Sequence, residues 1–588
     1  MVSPVPGTVA LAAPLALWLI GGLVGLAGLL DEASVLFAAG GVACFTPLLY
    51  YLSSGSRVLI VYRIPWILGG SGVVARLGFG ALGAVFAAAL GLSAIVGASM
   101  QPWYRRLGGG GGRGYACFYG VALASMYLVV VARDVFSLLA AWEAMTLSLG
   151  VLIGYGEEGG PASKLYLVLL HVLSAPLYAA AAWMLSRGIY WYTGLHGTAA
   201  GVVEACLLTA FMAKSGLVPF HVWLPPCHSK APGDASVVLS GASVKPSLLQ
   251  ALLLLGSAGF SVDAAAVVAA SAAASMLVGS LGALWAREGK RILAYTTIAY
   301  MGAAWLLMVC SLFIPQLAAA LAALVLMHAA YKSIGFMAAG AAKEVWRGDS
   351  LGSAGGLCWE GGACSVAVAA ASSMLPVPGL VRFVGELAVF YALVTTAILT
   401  GEGWVLVVLA ALAVQGLAAT IAYGRLLSML LQPVAPEEEV SMEAYPVAAS
   451  AAWFTALAAP LLVASMMGAP WLVVLAGIVA AGALAGYAWR GAARAAPWLS
   501  GFARAAAAGA QPLSLRAPGR SIEGVLSVFR RPWIRERDYT GLYHRFAGLV
   551  ERVLIDPFNA PRRSGSLSVY VLCMLVYFII VVVASWRW

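Results

Sequence analysis

Charge is what this sequence has least of. Asp, Glu, Lys and Arg make up only 10% of its 588 residues, against 62% hydrophobic, where soluble domains carry about 25% charged residues. Mean hydropathy is +0.92, which excludes a water-soluble globular protein. Lysine is scarcer still, at seven of the 34 basic side chains. None of the eight cysteines forms the CxxC spacing that iron–sulfur and zinc sites favour, so neither a metal site nor a redox centre is expected in the chain. The 67 glycines and 27 prolines follow no collagen period, and membrane helices tolerate both residues. The basic residues behind the net charge of +10 sit in loops between apolar runs, the placement of membrane topology rather than of nucleic-acid binding. The run from about Val9 to Leu30 lacks a basic leader and is too long for a signal-peptide core, so it reads as the first span.

What the chain has in abundance is apolar runs, and a bilayer-spanning helix needs roughly 20 apolar residues. They lie near 8–30, 33–52, 73–99, 115–132, 134–155, 163–185, 200–224, 234–257, 262–285, 291–313, 316–341, 359–399, 404–431, 447–467, 470–490 and 567–586. The pattern predicts an all-α, polytopic membrane protein of about 16 transmembrane helices, or 17 if 359–399 is split at its Pro376–Pro378 break. Arg287, Lys290 and Arg291 follow the ninth run and Lys343 and Arg347 the eleventh, whereas the loops after the eighth and tenth have no basic residue. Odd-numbered loops should therefore face the cytoplasm and the N-terminus the outside, an arrangement that Arg57, Arg63 and Arg76 break. Residues 491–566 are Arg-rich with Ile522, Val525, Leu526, Val528 and Phe529 at helical spacing, which predicts a helix along the membrane surface, with a plain basic loop as the alternative.

Three of the seven lysines, Lys214, Lys245 and Lys332, fall inside apolar runs. A lysine at the centre of a membrane helix costs on the order of 3 kcal/mol on insertion scales, so these need polar partners or a water-filled path. Glu143 and Glu386 also lie within apolar runs, as do His171, His221 and His328 within or at the ends of spans. Proton transfer at mid-membrane depth requires such a chain of donors and acceptors. A carboxylate at about 4 Å from an ammonium is worth roughly 4 kcal/mol at an effective dielectric of 20, so moving Glu143 relative to Lys214 would load or unload the lysine. The alternative for each residue is a bond that only ties helices together. Glu204 and Asp263 sit near span ends and are expected to be solvated. Two runs are interrupted by proline in different halves, Lys214 to Pro226 and Pro376 to Glu386; paired broken helices suggest inverted repeats with ion sites at the breaks.

The stretch Lys214 to Lys245, KSGLVPFHVWLPPCHSKAPGDASVVLSGASVK, resembles a family pattern of a lysine, then P-x-H-x-W-L-P, H-x-x-A-P (His228) and S-G-x-x-x-K. With Trp142-Glu143, the Lys290-to-Tyr295 segment, His328-Ala-Ala-Tyr-Lys332 and Gly385-Glu386, it is similar to the antiporter-like membrane subunits of respiratory complex I, Mrp antiporters and membrane-bound hydrogenases, nearest the large membrane subunit of formate hydrogenlyase. The resemblance implies two inverted five-helix repeats, two broken helices and a lateral surface helix. It divides the chain into N-terminal helices (1–114), a first repeat (115–257), a second repeat (258–431), further helices (432–490), the lateral segment (491–566) and a C-terminal anchor (567–588). It implies a proton relay of Glu143, Lys214, Lys245, His328, Lys332 and Glu386, with His171, His221 and His228 as further members. Thr296 and Thr297 stand where relatives often have an acidic residue or histidine. The implied protein is a non-catalytic ion-translocating subunit in the plasma membrane, without bound cofactor, moving protons alongside redox subunits of a larger complex. The alternative is a Mrp-type cation/proton antiporter subunit with no redox module, and sodium rather than protons stays open.

Overall fold

The computed structural model describes residues 5–64, 73–106, 111–156, 159–195, 200–258, 262–346, 351, 356–359, 361–376, 380–432 and 445–467. Its helices are α1 (Val5–Leu26), α2 (Leu30–Ala43), α3 (Thr46–Ser54), α4 (Ala81–Arg106), α5 (Arg113–Val131), α6 (Val135–Gly154), α7 (Gly159–Ser186), α8 (Ala200–Ser215), α9 (Leu224–Lys230), α10 (Gly233–Val238), α11 (Pro246–Ala258), α12 (Val262–Trp285), α13 (Gly289–Phe313), α14 (Ala318–Trp346), α15 (Gly361–Met374), α16 (Val381–Thr400), α17 (Trp404–Leu430) and α18 (Tyr445–Met467). Among the described residues thirteen segments are long and apolar enough to cross a membrane. The expected runs at 470–490 and 567–586 and the lateral segment at 491–566 lie outside the described residues.

Two sequence boundaries need correction. The second run is two helices, α2 and α3, joined at Cys44–Phe45. The third run starts late, because Val73–Phe79 is not helix but strand β2, paired antiparallel with β1 (Val58–Ile64). A short apolar run suits a strand as well as a helix, and periodicity alone does not separate them. Gly78 is required there, since a Cβ would strike the Val58 carbonyl. The Asp134 carboxylate fixes this hairpin to the helices: Oδ2 accepts from the Arg76 amide at 2.5 Å, and Oδ1 caps α6 by accepting from the Ser137 amide at 2.7 Å.

Polar contacts sort the loops by face. On one face Arg105 pairs with Asp31, Tyr104 donates to Glu344 at 2.6 Å, Lys290 donates to the Ala231 carbonyl at 2.8 Å and Lys343 to that of Ser229 at 2.9 Å. The odd-numbered loops thus share this basic face. Arg76 lies on the other, where its carbonyl accepts from the Arg133 amide at 2.8 Å. Leu357 and Cys358 bond through their amides to the Leu430 and Gln432 carbonyls at the end of α17, and only residues 401–403 separate the end of α16 from the start of α17. Helices α15 and α16 therefore cross together what α17 crosses alone, as one broken span. Cys358 and Cys364, beside its first turn, form a disulfide.

Helix α14 is buried along almost its whole length and packs against α4, α10, α13, α15, α16 and α18. Helices α1, α12, α16 and α17 turn apolar side chains such as Leu23, Val267, Ile398 and Val407 outward, where lipid tails meet them without cost. His328 and Lys332 lie on α14 itself, both buried.

Candidate functional site: a buried polar chain

The chain starts where α8 stops. Gly216, at φ +72°, ends the helix in the left-handed conformation that glycine adopts freely, and Pro225 and Pro226 restart it as α9. Lys214 is 1% exposed on the last turn before the break. Its ammonium donates to Tyr166 Oη at 2.8 Å and Thr146 Oγ1 at 3.0 Å, with the Tyr166 and Trp142 rings at 5.1 and 5.9 Å. Glu143, expected to switch this lysine directly, instead contacts His171, Oε2 to Nε2 at 3.2 Å, while Nδ1 of that ring faces the Leu167 carbonyl at 2.7 Å. Glu143 and Thr146 are one turn apart on α6, which places the carboxylate a single helical turn from a ligand of Lys214.

Lys245 is reached through serines. Ser215, adjacent to Lys214, shares a hydrogen bond with Ser247 at 2.8 Å and donates to the Val244 carbonyl at 3.2 Å, on either side of Lys245. The eighth span is broken by a π turn at Leu239–Ser243. Pro246, which begins α11, has no amide to offer the preceding turn, and the Ser240 and Gly241 carbonyls accept from the Lys245 ammonium at 3.0 and 2.5 Å. Irregular backbone at membrane depth survives only where such partners exist.

From the same turn, Ser240 Oγ meets Thr297 Oγ1 at 2.7 Å. Its neighbour Thr296 accepts from Lys332 on α14, which also donates to the Leu293 carbonyl at 2.7 Å. Two threonine hydroxyls thus occupy the place between Lys245 and Lys332. A hydrogen bond to a charged group is worth about 1.5–3 kcal/mol, so Thr296→Val is expected to slow proton movement by about tenfold in membrane vesicles while the protein still assembles. Wild-type rates in that variant would show that Lys332 does not act through Thr296.

Beyond Lys332 the chain is aromatic. The Tyr423 ring lies 5.3 Å from the Lys332 ammonium and 5.5 Å from the Arg382 guanidinium carbon. His328 is 3% exposed, its ring 5.7 Å from that of Tyr300 and 5.6 Å from that of Tyr331. Both His328 nitrogens and the Tyr331 and Tyr423 hydroxyls are buried without a hydrogen-bond partner among the described residues, the kind of site that internal water serves. Tyr300 donates to Glu386 Oε1 at 3.1 Å, and Arg382 Nε donates to the same oxygen at 2.8 Å and to Tyr300 Oη at 3.1 Å. The guanidinium also donates to the Met374 carbonyl at 2.9 Å and the Gly416 carbonyl at 2.6 Å, clamping α15, α16 and α17 at the second break.

Of the expected residues, Glu143, His171, Lys214, Lys245, His328, Lys332 and Glu386 come together in this run. His228 is fully buried, stacked on Phe336 at 4.4 Å and within electrostatic reach of Lys290 and Lys332. His221 does not join: its Nδ1 is buried without a hydrogen-bond partner among the described residues. Asp263 is exposed as expected, but Glu204 is not solvated: it is 6% exposed, with Oε1 buried. Sequence reasoning missed Arg382, although an arginine four residues before Glu386 on a helix is an ion-pair spacing.

Residues 132–413 match the family model described as NADH:quinone oxidoreductase/Mrp antiporter, transmembrane. The matched stretch is just under half of the chain. Hydrogenase-4 component B of Escherichia coli is 30% identical over 304 residues, 47% of this chain and 45% of that protein. The chain thus spans about half the length of the curated relatives it matches. In fold it is similar to a chain of the membrane-bound sulfane sulfur reductase, an archaeal respiratory membrane complex, with a TM-score of 0.65 at 19% identity over 82% of this chain and 99% of that one. A chain of the Mrp complex of Dietzia sp. DQ12-45-1b gives 0.64 at 20% identity, over 82% and 98%. The matched stretch contains Glu143, His171, Lys214, Lys245, His328, Lys332, Arg382 and Glu386 and stops short of Tyr423; α1 to α5 lie before it and α18 after it.

Proposed function

We propose that the chain is a proton-translocating, antiporter-like subunit of a multisubunit membrane oxidoreductase, moving H⁺ through Glu143, Lys214, Lys245, His328, Lys332 and Glu386. The observation that carries this reading is the row of three buried lysines, Lys214, Lys245 and Lys332, held by hydroxyls, carbonyls and aromatic rings rather than each by its own carboxylate, and ending at the Arg382–Glu386 pair. A scaffold would pair its charges locally, because unpaired charge at this depth is costly. A row of ammonium groups with hydroxyl bridges passes a proton when the field at one end changes, since each hop needs only a donor and an acceptor in reach. Electron transfer in partner subunits would supply that change of field, and His171 would couple Glu143 to the first lysine. Residues 115–257 and 258–431 serve as the two inverted repeats, each supplying one break, at α8–α9 and at α15–α16.

The test is purification from membranes in mild detergent, followed by proton uptake of the reconstituted complex. Iron–sulfur oxidoreductase subunits should co-purify, and turnover of their redox site should move protons. Recovery with hydrophobic antiporter subunits alone, and cation-driven H⁺ exchange without a redox donor, would establish the antiporter reading instead.

A further inference from the structure

The buried run leaves unused a second polar feature, built from α2, α4, α5 and α10. Asp234 is 1% exposed; Oδ1 accepts from Tyr115 Oη at 2.7 Å and Oδ2 from Gln101 Nε2 at 3.1 Å. Gln101 Oε1 accepts in turn from Ser34 Oγ at 2.9 Å, and Ser34 accepts from the Arg105 guanidinium at 3.4 Å. Arg105 pairs with Asp31, whose side chain is 68% exposed on the basic face. An unbroken sequence of hydrogen bonds therefore leads from solvent to a carboxylate sealed inside the bundle.

A narrow cleft of about 10 Å³, space for about one water molecule, lies along this sequence, lined by Gln101, Tyr104, Arg105, Gly111, Tyr115 and Asp234. Tyr119, one turn beyond Tyr115, is fully buried and within electrostatic reach of Asp234, and its hydroxyl has no partner among the described residues. A carboxylate serving only to fix α10 needs neither a path to the face nor an orphan hydroxyl beside it. The charged groups around it are Arg105 from α4, Asp31 from α2 and, through Tyr104, Glu344 from α14. Inward, Asp234 shares its span with Ser240, six residues or ~9 Å further along if helical, and Ser240 is half of the hydroxyl bridge to Thr297.

We propose that Asp234 is a proton-loading site that admits H⁺ from the basic face to the Ser240–Thr297 bridge. A hydronium ion at the mouth gives its proton, through water in the cleft, to a carboxylate oxygen; only O–H bonds form and break, and Asp234 gives the proton up inward. This rests on the relay reading above.

The test uses the whole complex in inverted membrane vesicles, measuring the initial rate of proton uptake from the basic face. Asp234→Asn keeps the shape and should lower that rate on the order of 100-fold, the lower end of what a positioned proton-transfer group contributes. Millimolar formic acid, a small weak acid, should restore much of the turnover-driven rate, read as the increment over the acid's own permeation without turnover, which a structural defect would not allow. Ser34→Ala, which breaks the path but leaves Asp234 in place, should show a smaller loss with the same recovery. Wild-type uptake in Asp234→Asn, or a loss that formic acid leaves unchanged, overturns the loading site. Lys214→Ala in parallel tests the parent reading: full uptake there sinks the relay, whereas a silent Lys214→Ala beside a full-rate Asp234→Asn sinks the loading site alone.

Discussion

Lys214→Ala is expected to abolish coupled proton movement, lowering it by at least about 100-fold, with the complex still assembled and its redox site still turning over. The lysine is the only ammonium that Tyr166 and Thr146 hold at the first break, among the described residues, and the next, Lys245, is reached from it through Ser215 and Ser247. Glu143→Gln should do less, because the carboxylate touches His171 rather than Lys214: it removes the field but leaves the site. The measurement is proton-to-electron stoichiometry in reconstituted vesicles, with assembly checked on a native gel. An unchanged stoichiometry in Lys214→Ala would count against the lysine's role.

Arg382→Met should produce the largest loss of stability. Its guanidinium holds Glu386, Tyr300 and two carbonyls across the second break, and breaking a buried pair from one side costs about 3–5 kcal/mol because the stranded charge keeps its desolvation penalty. Glu386 is 21% exposed at its side chain, so the lower end of that range is expected. The double variant with Glu386→Gln should regain part of the loss, since no carboxylate is left stranded, and thermal unfolding in detergent gives the cycle. Equal losses in single and double variants would mean that Arg382 acts through the carbonyls alone.

Much of this was legible in the residues. Apolar run length located the spans, and the scarcity of lysine made Lys214, Lys245 and Lys332 conspicuous against their surroundings. The limits are physical. The strand Val73–Phe79 hides within apolar sequence that a helix could equally use. The partner of Glu143 was not legible, because spacing gives the face of a helix but not the neighbour opposite, and it is His171 on α7 that reaches the carboxylate. Asp234 escaped notice because it stands in a loop-like Pro-Gly-Asp stretch; it is buried by the packing of α10 against α4 and α14, with Tyr115 of α5 and Gln101 of α4 as its partners. Thr296 and Thr297, which stand where relatives often have an acidic residue or histidine, offer hydroxyls to Lys332 and Ser240 respectively.

The π turn before Lys245 carries a consequence for how this protein can change over time. Ser240 and Gly241 hold that ammonium through oxygens every amino acid possesses. Drift among neighbouring codons leaves such ligands in place, and point substitutions nearby can tune the cation without erasing it. Only an insertion or deletion, or loss of Pro246 and with it the turn itself, would strip the lysine of its acceptors.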